Sequence, residues 1–196
     1  MNMDTTSILV VGVGGQGTLL TARVLGHLLT SEGHDVKISE IHGMAQRGGS
    51  VVTHIRYGEK VYSPIIEPAG ADIVIGFEKM EALRWLHYLK PNGKMIVNEQ
   101  EILPMPVISG DAEYPKDIVP RLREACRDLY ILDAVSVAEK LGNTRVFNTV
   151  ILGVLARFMG IEMESWTEAI RHTVPDKFLD LNLKAFELGN IVSCKS

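Results

Sequence analysis

The glycine-rich hexapeptide at residues 12–17 is the part of the sequence best suited to chemistry. Its letters, GVGGQG, match the pattern G-x-G-x-x-G. It follows the apolar run SILVVGV, which is typical of a strand buried on both faces, and it precedes a helical pattern that begins at Thr18. Backbone N–H groups and the dipole at such a helix start bind phosphates, and glycine lets a ligand approach the main chain. We therefore predict a ligand-binding loop formed by Gly12, Gly14, Gly15, Gln16 and Gly17.

The loop pattern alone does not select the ligand, and NAD, a flavin and coenzyme A all fit it. Glu40 ends the predicted second strand, VKISE, where dinucleotide-binding folds place the acid that binds a ribose. We therefore include Glu40 among the candidate cofactor-binding residues. The alternative is that the glycines only allow a tight turn and close packing of strand and helix, without any ligand.

A second concentration of unusual residues lies at residues 39–50, SEIHGMAQRGGS. Loops that only connect two strands are usually shorter than this segment, so its length and composition predict an ordered loop that contacts a ligand or another chain. Arg47 can bind a phosphate or a carboxylate, Gly48 and Gly49 allow a close approach, and His42 can titrate near neutral pH. The alternative is an elaborate turn with a solvated arginine.

The remaining residues do not predict a metal or redox site. Cys126 and Cys194 are not spaced as a Cys-x-x-Cys pair, and an iron–sulfur cluster normally takes four thiolates. The Gly110-Asp111 pair with Asn143 is a weak match to a thiamine diphosphate motif, in which Ala112 replaces the second glycine. No histidines are paired at a metal-ligand spacing, so we expect neither a bound metal nor a complete set of catalytic residues in this chain.

Composition excludes several classes of protein. The chain has 196 residues with 24 acidic and 20 basic side chains, which gives a net charge of −4 and no large basic excess. A nucleic-acid partner is therefore not expected. The apolar stretches are shorter than the ~20 residues that cross a bilayer, and the first residues carry no basic region before an apolar run. We expect a cytoplasmic protein without a membrane contact.

Strand and helix patterns alternate along most of the chain, which predicts one α/β domain over residues 1–196. Buried-strand patterns occur at 7–13, 36–40, 71–78, 93–98 and 129–133, an antiparallel hairpin is predicted at 50–63, and helical patterns fill residues 135–141, 145–159, 163–173 and 176–191. A proline-rich surface connection is expected at 99–120. The predicted fold is a Rossmann-like, doubly wound, mostly parallel sheet with an inserted β-hairpin and a helical C-terminal portion.

Several segments resemble one family over nearly the whole chain. GVGGQG, SEIHGMAQRGGSVVTHIRYG, VYSPII, ADIVIGFEKMEALR and VPDKFLDLNLKAFELG are similar to the gamma-type domain of the 2-oxoacid:ferredoxin oxidoreductases. The pyruvate-type members carry a different sequence before the Arg-Gly-Gly, so Ile41-His42-Gly43-Met44 favours the indolepyruvate type.

The resemblance implies an enzyme that oxidatively decarboxylates an aryl pyruvate, transfers the acyl group to coenzyme A and passes electrons to ferredoxin. Thiamine diphosphate and the iron–sulfur clusters are expected on a larger partner subunit, so this chain is not expected to be catalytic alone. The resemblance also implies that residues 12–17 and Arg47-Gly48-Gly49 contribute to the coenzyme A side of the active site or to the subunit interface.

Two other functions remain open at this point. One is a stand-alone NAD- or flavin-binding oxidoreductase with this fold, although the remaining residues leave no room for a second catalytic domain. The other is an assembly subunit that binds no ligand. The sequence leaves open whether the isolated chain self-associates; a subunit separated from its partner exposes apolar surface, which is compatible with a homodimer.

Overall fold

The computed structural model describes residues 5–43 and 49–195. Its strands are β1 (Thr6–Val13), β2 (Asp35–His42), β3 (Ser50–Gly58), β4 (Ala71–Gly76), β5 (Leu89–Asn98) and β6 (Asp128–Leu132). Its helices are α1 (Thr18–Ser31), α2 (Lys79–Arg84), α3 (Met105–Ile108), α4 (Ile118–Ala125), α5 (Ala134–Lys140), α6 (Phe147–Met159), α7 (Met163–Thr173) and α8 (Asp176–Ile191), with 3-10 turns at Leu86–Tyr88 and Thr144–Val146.

The six strands form one sheet in the order β2-β3-β1-β4-β5-β6. β1, β4, β5 and β6 are parallel neighbours, whereas β3 is antiparallel to both β1 and β2. Buried strands with crossover helices account for the parallel part, as the uninterrupted apolar run of β1 predicts. The predicted mixed α/β fold with a helical C-terminal portion is confirmed.

The predicted hairpin at residues 50–63 is wrong in its second arm. Residues 60–63 form no strand, and the hairpin partner of β3 is β2, which precedes it. The physical reason is burial: the middle of β3 is buried, so both of its edges must be hydrogen-bonded, and β1 and β2 supply them. Tyr62, in contrast, is exposed. As a result β2 runs in the direction of β1 but is separated from it by β3.

Helices cover both faces of the sheet. Ile8 and Val10 of β1 point into a core shared with α1, α6, α7 and α8, while Leu9 and Val11 point into a second core shared with α2 and α4. This alternation follows from the two-residue period of a strand. In the part of the chain that the structure describes, no helix combines the length and the apolar character needed to cross a bilayer.

Candidate functional site

The glycine loop joins β1 to α1 with two residues in the left-handed region. Gly15 has φ +98° and Gly17 has φ +88°, values that side-chain-bearing residues adopt only with strain. Gly17 is the N-cap of α1, and among residues 5–43 and 49–195 no side chain caps this helix. The first N–H groups of α1 are therefore available to a ligand, as the pattern of residues 12–17 predicts.

Gln16 ties the loop to the sheet. Its Oε1 accepts a hydrogen bond from the backbone N–H of Val13 at 2.7 Å. Its Nε2 donates to the carbonyl oxygen of Phe77 at 3.1 Å and to Oε1 of Gln100 at 2.9 Å. The buried side chain of Gln16 therefore fixes the loop conformation, and a direct contact between Gln16 and a ligand stays a prediction. Gly12 makes room for this arrangement, because a Cβ atom on it would lie 2.8 Å from Oε1 of Gln16.

A cleft of about 680 Å³ opens in front of the glycine loop. It lies beyond the carboxyl ends of β1 and β5, the usual ligand position in an open parallel sheet. The opposite wall is formed by the 3-10 turn Thr144–Val146 and the first turn of α6, which follow each other and are distant in sequence from the glycine loop. The residues that line the cleft are Gly14, Gly15, Gln16, Gly17, Leu20, Gln100, Ile102, Val135, Thr144, Arg145, Phe147 and Asn148.

The electrostatics of the cleft favour an anion. The N-terminal ends of α1 and α6 both border it, and in the described part of the chain neither N-cap residue, Gly17 or Val146, provides a side-chain cap. Arg145 is exposed at its rim, and none of the described lining residues is acidic. Leu20, Val135 and Phe147 add apolar surface. This combination of positive potential and apolar wall suits a ligand with both phosphates and an organic portion.

Glu40 lies beside the start of α1 and does not line the cleft in the described part of the chain. Its Oε2 accepts hydrogen bonds from Oγ1 of Thr53 at 3.2 Å and from Oγ1 of Thr18 at 3.5 Å. In a standard dinucleotide-binding unit the first two strands are neighbours, whereas β3 separates them here. A contact between Glu40 and a ribose therefore stays a prediction.

The second candidate loop adjoins the first. The backbone N–H of Gly14 donates to the carbonyl oxygen of Gly49 at 2.9 Å, so Gly49 lies against the glycine loop. Arg47 and Gly48 lie outside the described residues. His42 is exposed at the end of β2.

Two buried carboxylates next to the cleft were not found from the sequence. Glu78 is fully buried and caps α2, where its Oε2 accepts from the N–H of Glu81 at 2.9 Å. Its Oε1 accepts from the N–H of Ile102 at 3.3 Å and from the hydroxyl of Tyr114. Burial, strengthened by Glu78, raises the pKa of Tyr114 well above its ordinary value. Glu81 accepts from the hydroxyl of Ser50, so both carboxylates hold loops that border the site.

Sequence reasoning also missed Arg145 and Thr144 as lining residues, because nothing local connects them to the glycine loop. Asn148 gave a signal: with Arg157 it is a polar residue on a mainly apolar helix. The signal identified neither the cleft nor the loop that it faces.

Comparisons with known proteins agree with this architecture. The family model described as pyruvate ferredoxin/flavodoxin oxidoreductase matches residues 7–190. The chain is 41% identical over 187 residues to indolepyruvate oxidoreductase subunit IorB of Archaeoglobus fulgidus, covering 93% of this chain and 92% of that one. It is 27% identical over 180 residues to the pyruvate/ketoisovalerate oxidoreductases common subunit gamma of Pyrococcus furiosus, covering 89% of both chains.

A solved structure supports the fold. The 2-oxoglutarate:ferredoxin oxidoreductase of Magnetococcus marinus, which contains 2-oxoglutarate, coenzyme A and succinyl-CoA, superposes with a TM-score of 0.73 at 19% identity. The match covers 95% of this chain and 30% of that one. With the family model extending over nearly all of the sheet and the C-terminal helices, the chain belongs to the pyruvate ferredoxin/flavodoxin oxidoreductase family.

Proposed function

We propose that this chain is the small subunit of an indolepyruvate-type 2-oxoacid:ferredoxin oxidoreductase. The reaction is the oxidative decarboxylation of an aryl pyruvate to an acyl-CoA, with electrons passed to ferredoxin through the complex. Family membership supports the reaction class, and the higher identity to the indolepyruvate subunit than to the pyruvate/ketoisovalerate subunit supports the substrate class. The observation that carries the proposal is the uncapped glycine-loop cleft at the carboxyl ends of the parallel strands.

Coenzyme A is the proposed ligand of this cleft. Its 3′-phospho-ADP group carries phosphates that suit the open N–H groups of α1, and an extra Cβ atom on Gly15 would meet nothing within 4 Å. Coenzyme A supplies the thiol that accepts the acyl group. The role of this chain is to bind and orient the nucleotide end through Gly14, Gly15 and Gly17, with Arg47, Gly48 and Gly49 as further proposed contacts.

A larger partner subunit is proposed to carry thiamine diphosphate and the iron–sulfur clusters. The whole sequence contains two cysteines, of which Cys126 is buried, whereas a cluster normally takes four thiolates. The decarboxylation and electron-transfer steps therefore need groups from another chain.

An exposed apolar segment next to the cleft supports a partner surface there. Leu103, Met105 and Ile108 follow the cleft-lining residue Ile102, and Met105 and Ile108 are 71% and 63% exposed. Clustered apolar side chains of this size are typical of surfaces that another chain covers. We propose that the larger subunit docks on this partner-facing segment, residues 103–108, where its cofactors would adjoin the cleft.

Three further features belong to the proposal. Residues 1–196 form a single domain. The complex works in the cytoplasm, a location supported by two free cysteines, which persist in a reducing compartment. Without its partner the isolated chain forms a homodimer, which light scattering would detect.

The test is anaerobic co-purification of the tagged chain from its native host. The eluate is assayed for iron, for thiamine diphosphate and for dye reduction that depends on both indolepyruvate and coenzyme A. We expect a larger iron–sulfur subunit in the eluate and activity only when both chains are present.

Two results would contradict the proposal in different ways. Recovery of the chain alone, free of iron but with a bound nucleotide and its own turnover, would favour a stand-alone NAD- or flavin-binding oxidoreductase. Recovery of an active complex whose coenzyme A affinity is unchanged by Gly15→Asp would favour an assembly subunit that binds no ligand. Gly15→Asp places a negative charge in the open space of the loop.

A further inference from the structure

Asn148 is buried, yet one of its polar groups has no partner. The side chain is 3% exposed, and its Oδ1 accepts from the N–H of Thr149 at 2.8 Å. Within the described residues, Nδ2 of Asn148 donates no hydrogen bond, and the side chain lines the cleft. The amide nitrogen thus meets the cleft rather than a protein acceptor, and an acceptor oxygen of a ligand is its expected partner.

The unpartnered amide lies at the junction of the two walls. A Cβ atom on Gly17 would be 2.3 Å from Nδ2 of Asn148, which places the amide directly beside the start of α1. Asn148 itself belongs to the first turn of α6, a helix of 13 residues whose N-cap is Val146. Val146 supplies no side-chain cap, but the N–H of Phe147 donates to the carbonyl oxygen of Thr144 and the N–H of Thr149 donates to Oδ1 of Asn148, so Nδ2 of Asn148 is the donor that this turn offers to the cleft.

Arg145 adds a full positive charge to this wall. It lines the cleft, it is exposed, and among the described residues its guanidinium forms no ion pair. A planar guanidinium binds phosphate oxygens in a bidentate manner. The wall opposite the glycine loop thus presents an arginine and an amide donor.

We propose that residues 144–148 form a second anion subsite, in which Arg145 and Asn148 bind a phosphate group of a diphosphate-bearing nucleotide whose other phosphate lies at the glycine loop. This assignment rests on the proposed function and adds two specificity-determining residues to it. A ligand with one phosphate fills one subsite, whereas a diphosphate spans both walls.

The experiment is isothermal titration of the full chain with coenzyme A and with inorganic pyrophosphate as separate probes. Arg145→Gln is expected to weaken binding of both probes about tenfold to hundredfold, the effect of losing one charge-assisted contact to a phosphate. Asn148→Asp keeps the acceptor for Thr149 but replaces the donor by a negative charge, and it is expected to weaken binding at least as much. Arg121→Gln, on α4 at the opposite face of the sheet, is the matched control for the change in net charge and is expected to bind like the wild type.

Thermal melting without ligand verifies that each variant is folded. Equal affinities of the wild type and Arg145→Gln for coenzyme A would overturn the subsite while leaving coenzyme A at the cleft. A similar loss of affinity in Arg121→Gln would also overturn it, because the effect would then be general charge. If the wild type binds pyrophosphate but does not bind coenzyme A, the subsite stands and the assigned nucleotide is wrong. A wild type that binds neither probe would overturn both the subsite and the assignment of coenzyme A to the cleft.

Discussion

Gly17 and Asn148 contact each other at the junction of the two cleft walls so closely that a Cβ atom on Gly17 would lie 2.3 Å from Nδ2 of Asn148. This contact joins the start of α1 to the first turn of α6 and brings the amide of Asn148 to the same ligand position as the start of α1. Position 17 therefore requires glycine for two reasons, the φ of +88° and the lack of space for a side chain.

Replacing Gly17 by alanine is expected to destabilise the fold more than the same change at Gly15. Both positions have positive φ, which costs about 1–2 kcal/mol for alanine. Only Gly17→Ala also collides with Asn148, whereas the space around Gly15 is open. The free energy of unfolding, measured with urea, should fall about twice as far for Gly17→Ala. A double-mutant cycle with Asn148→Ala should show positive coupling between the two positions, and additive losses would contradict the collision.

The strand-loop-helix unit around residues 12–17 was predictable because its signals are local. An apolar run ends in glycines and a 3.6-residue period follows, so the ends of β1 and α1 can be inferred from their own residues. The C-terminal helices α7 and α8 were predicted at their exact bounds for the same reason.

The position of β3 and the second wall of the cleft were not predictable in this way. Strand pairing depends on which edge needs a partner, so a pattern at residues 50–63 cannot show that β3 pairs with β2 rather than with residues 60–63. Arg145 and Asn148 reach the glycine loop only because α6 packs against the sheet beside α1. Such a juxtaposition leaves no periodic signal in the chain.

The packing of α6 on α8 is expected to be the least tolerant part of the C-terminal helices. A Cβ atom on Gly153 would lie 2.2 Å from the carbonyl oxygen of Phe186, and one on Gly189 would lie 1.9 Å from that of Val150. Both obstacles are backbone atoms, so Gly153→Ala must separate the helices and should cost about 3 kcal/mol or more.

Gly26→Ala on α1 is the matched control for this helix pair. The new Cβ atom would meet only the Cδ1 atom of Ile38, the end of a flexible and partly exposed side chain, at 2.9 Å. The gain in helix propensity, about 1 kcal/mol, should largely offset that contact. Chemical denaturation that gives equal losses for Gly26→Ala and Gly153→Ala would show that α6 and α8 are not held by close backbone contact.

Stability is expected to fall on mild acidification because of His54. This buried ring accepts a hydrogen bond at Nδ1 from the N–H of Ile66 at 3.1 Å, and burial lowers its pKa below the ordinary 6.5. The unfolded chain therefore takes up a proton first as the pH falls. The contribution of His54 is complete above pH 6.5 and is lost below it, with a slope of at most about 1.4 kcal/mol per pH unit.

His54→Asn keeps an acceptor for Ile66 and should flatten the dependence of the unfolding free energy on pH between about 7 and 5. His27 contributes with the same sign, because burial and the charge of His172 lower its pKa too, so part of the slope should remain. His27→Asn isolates that part. An unchanged slope in the variant that carries both substitutions would contradict the assignment.

The partner-facing segment is expected to control assembly without controlling folding. Met105 and Ile108 are 71% and 63% exposed, so Met105→Lys with Ile108→Lys should leave the melting temperature of the isolated chain within a few degrees of the wild type. Burying two ammonium groups in an apolar interface is strongly unfavourable, so affinity for the larger subunit should fall by about a hundredfold or more.

Tyr62→Lys is the control for the partner-facing segment. This side chain is 85% exposed and lies beyond β3, near the amino end of β1, away from the cleft. The effect is measured as the amount of larger subunit that co-purifies with the wild type, with the double variant and with Tyr62→Lys. If the double variant retains the larger subunit as fully as Tyr62→Lys does, the docking surface lies elsewhere, and the exposed apolar side chains of residues 103–108 have no role in assembly.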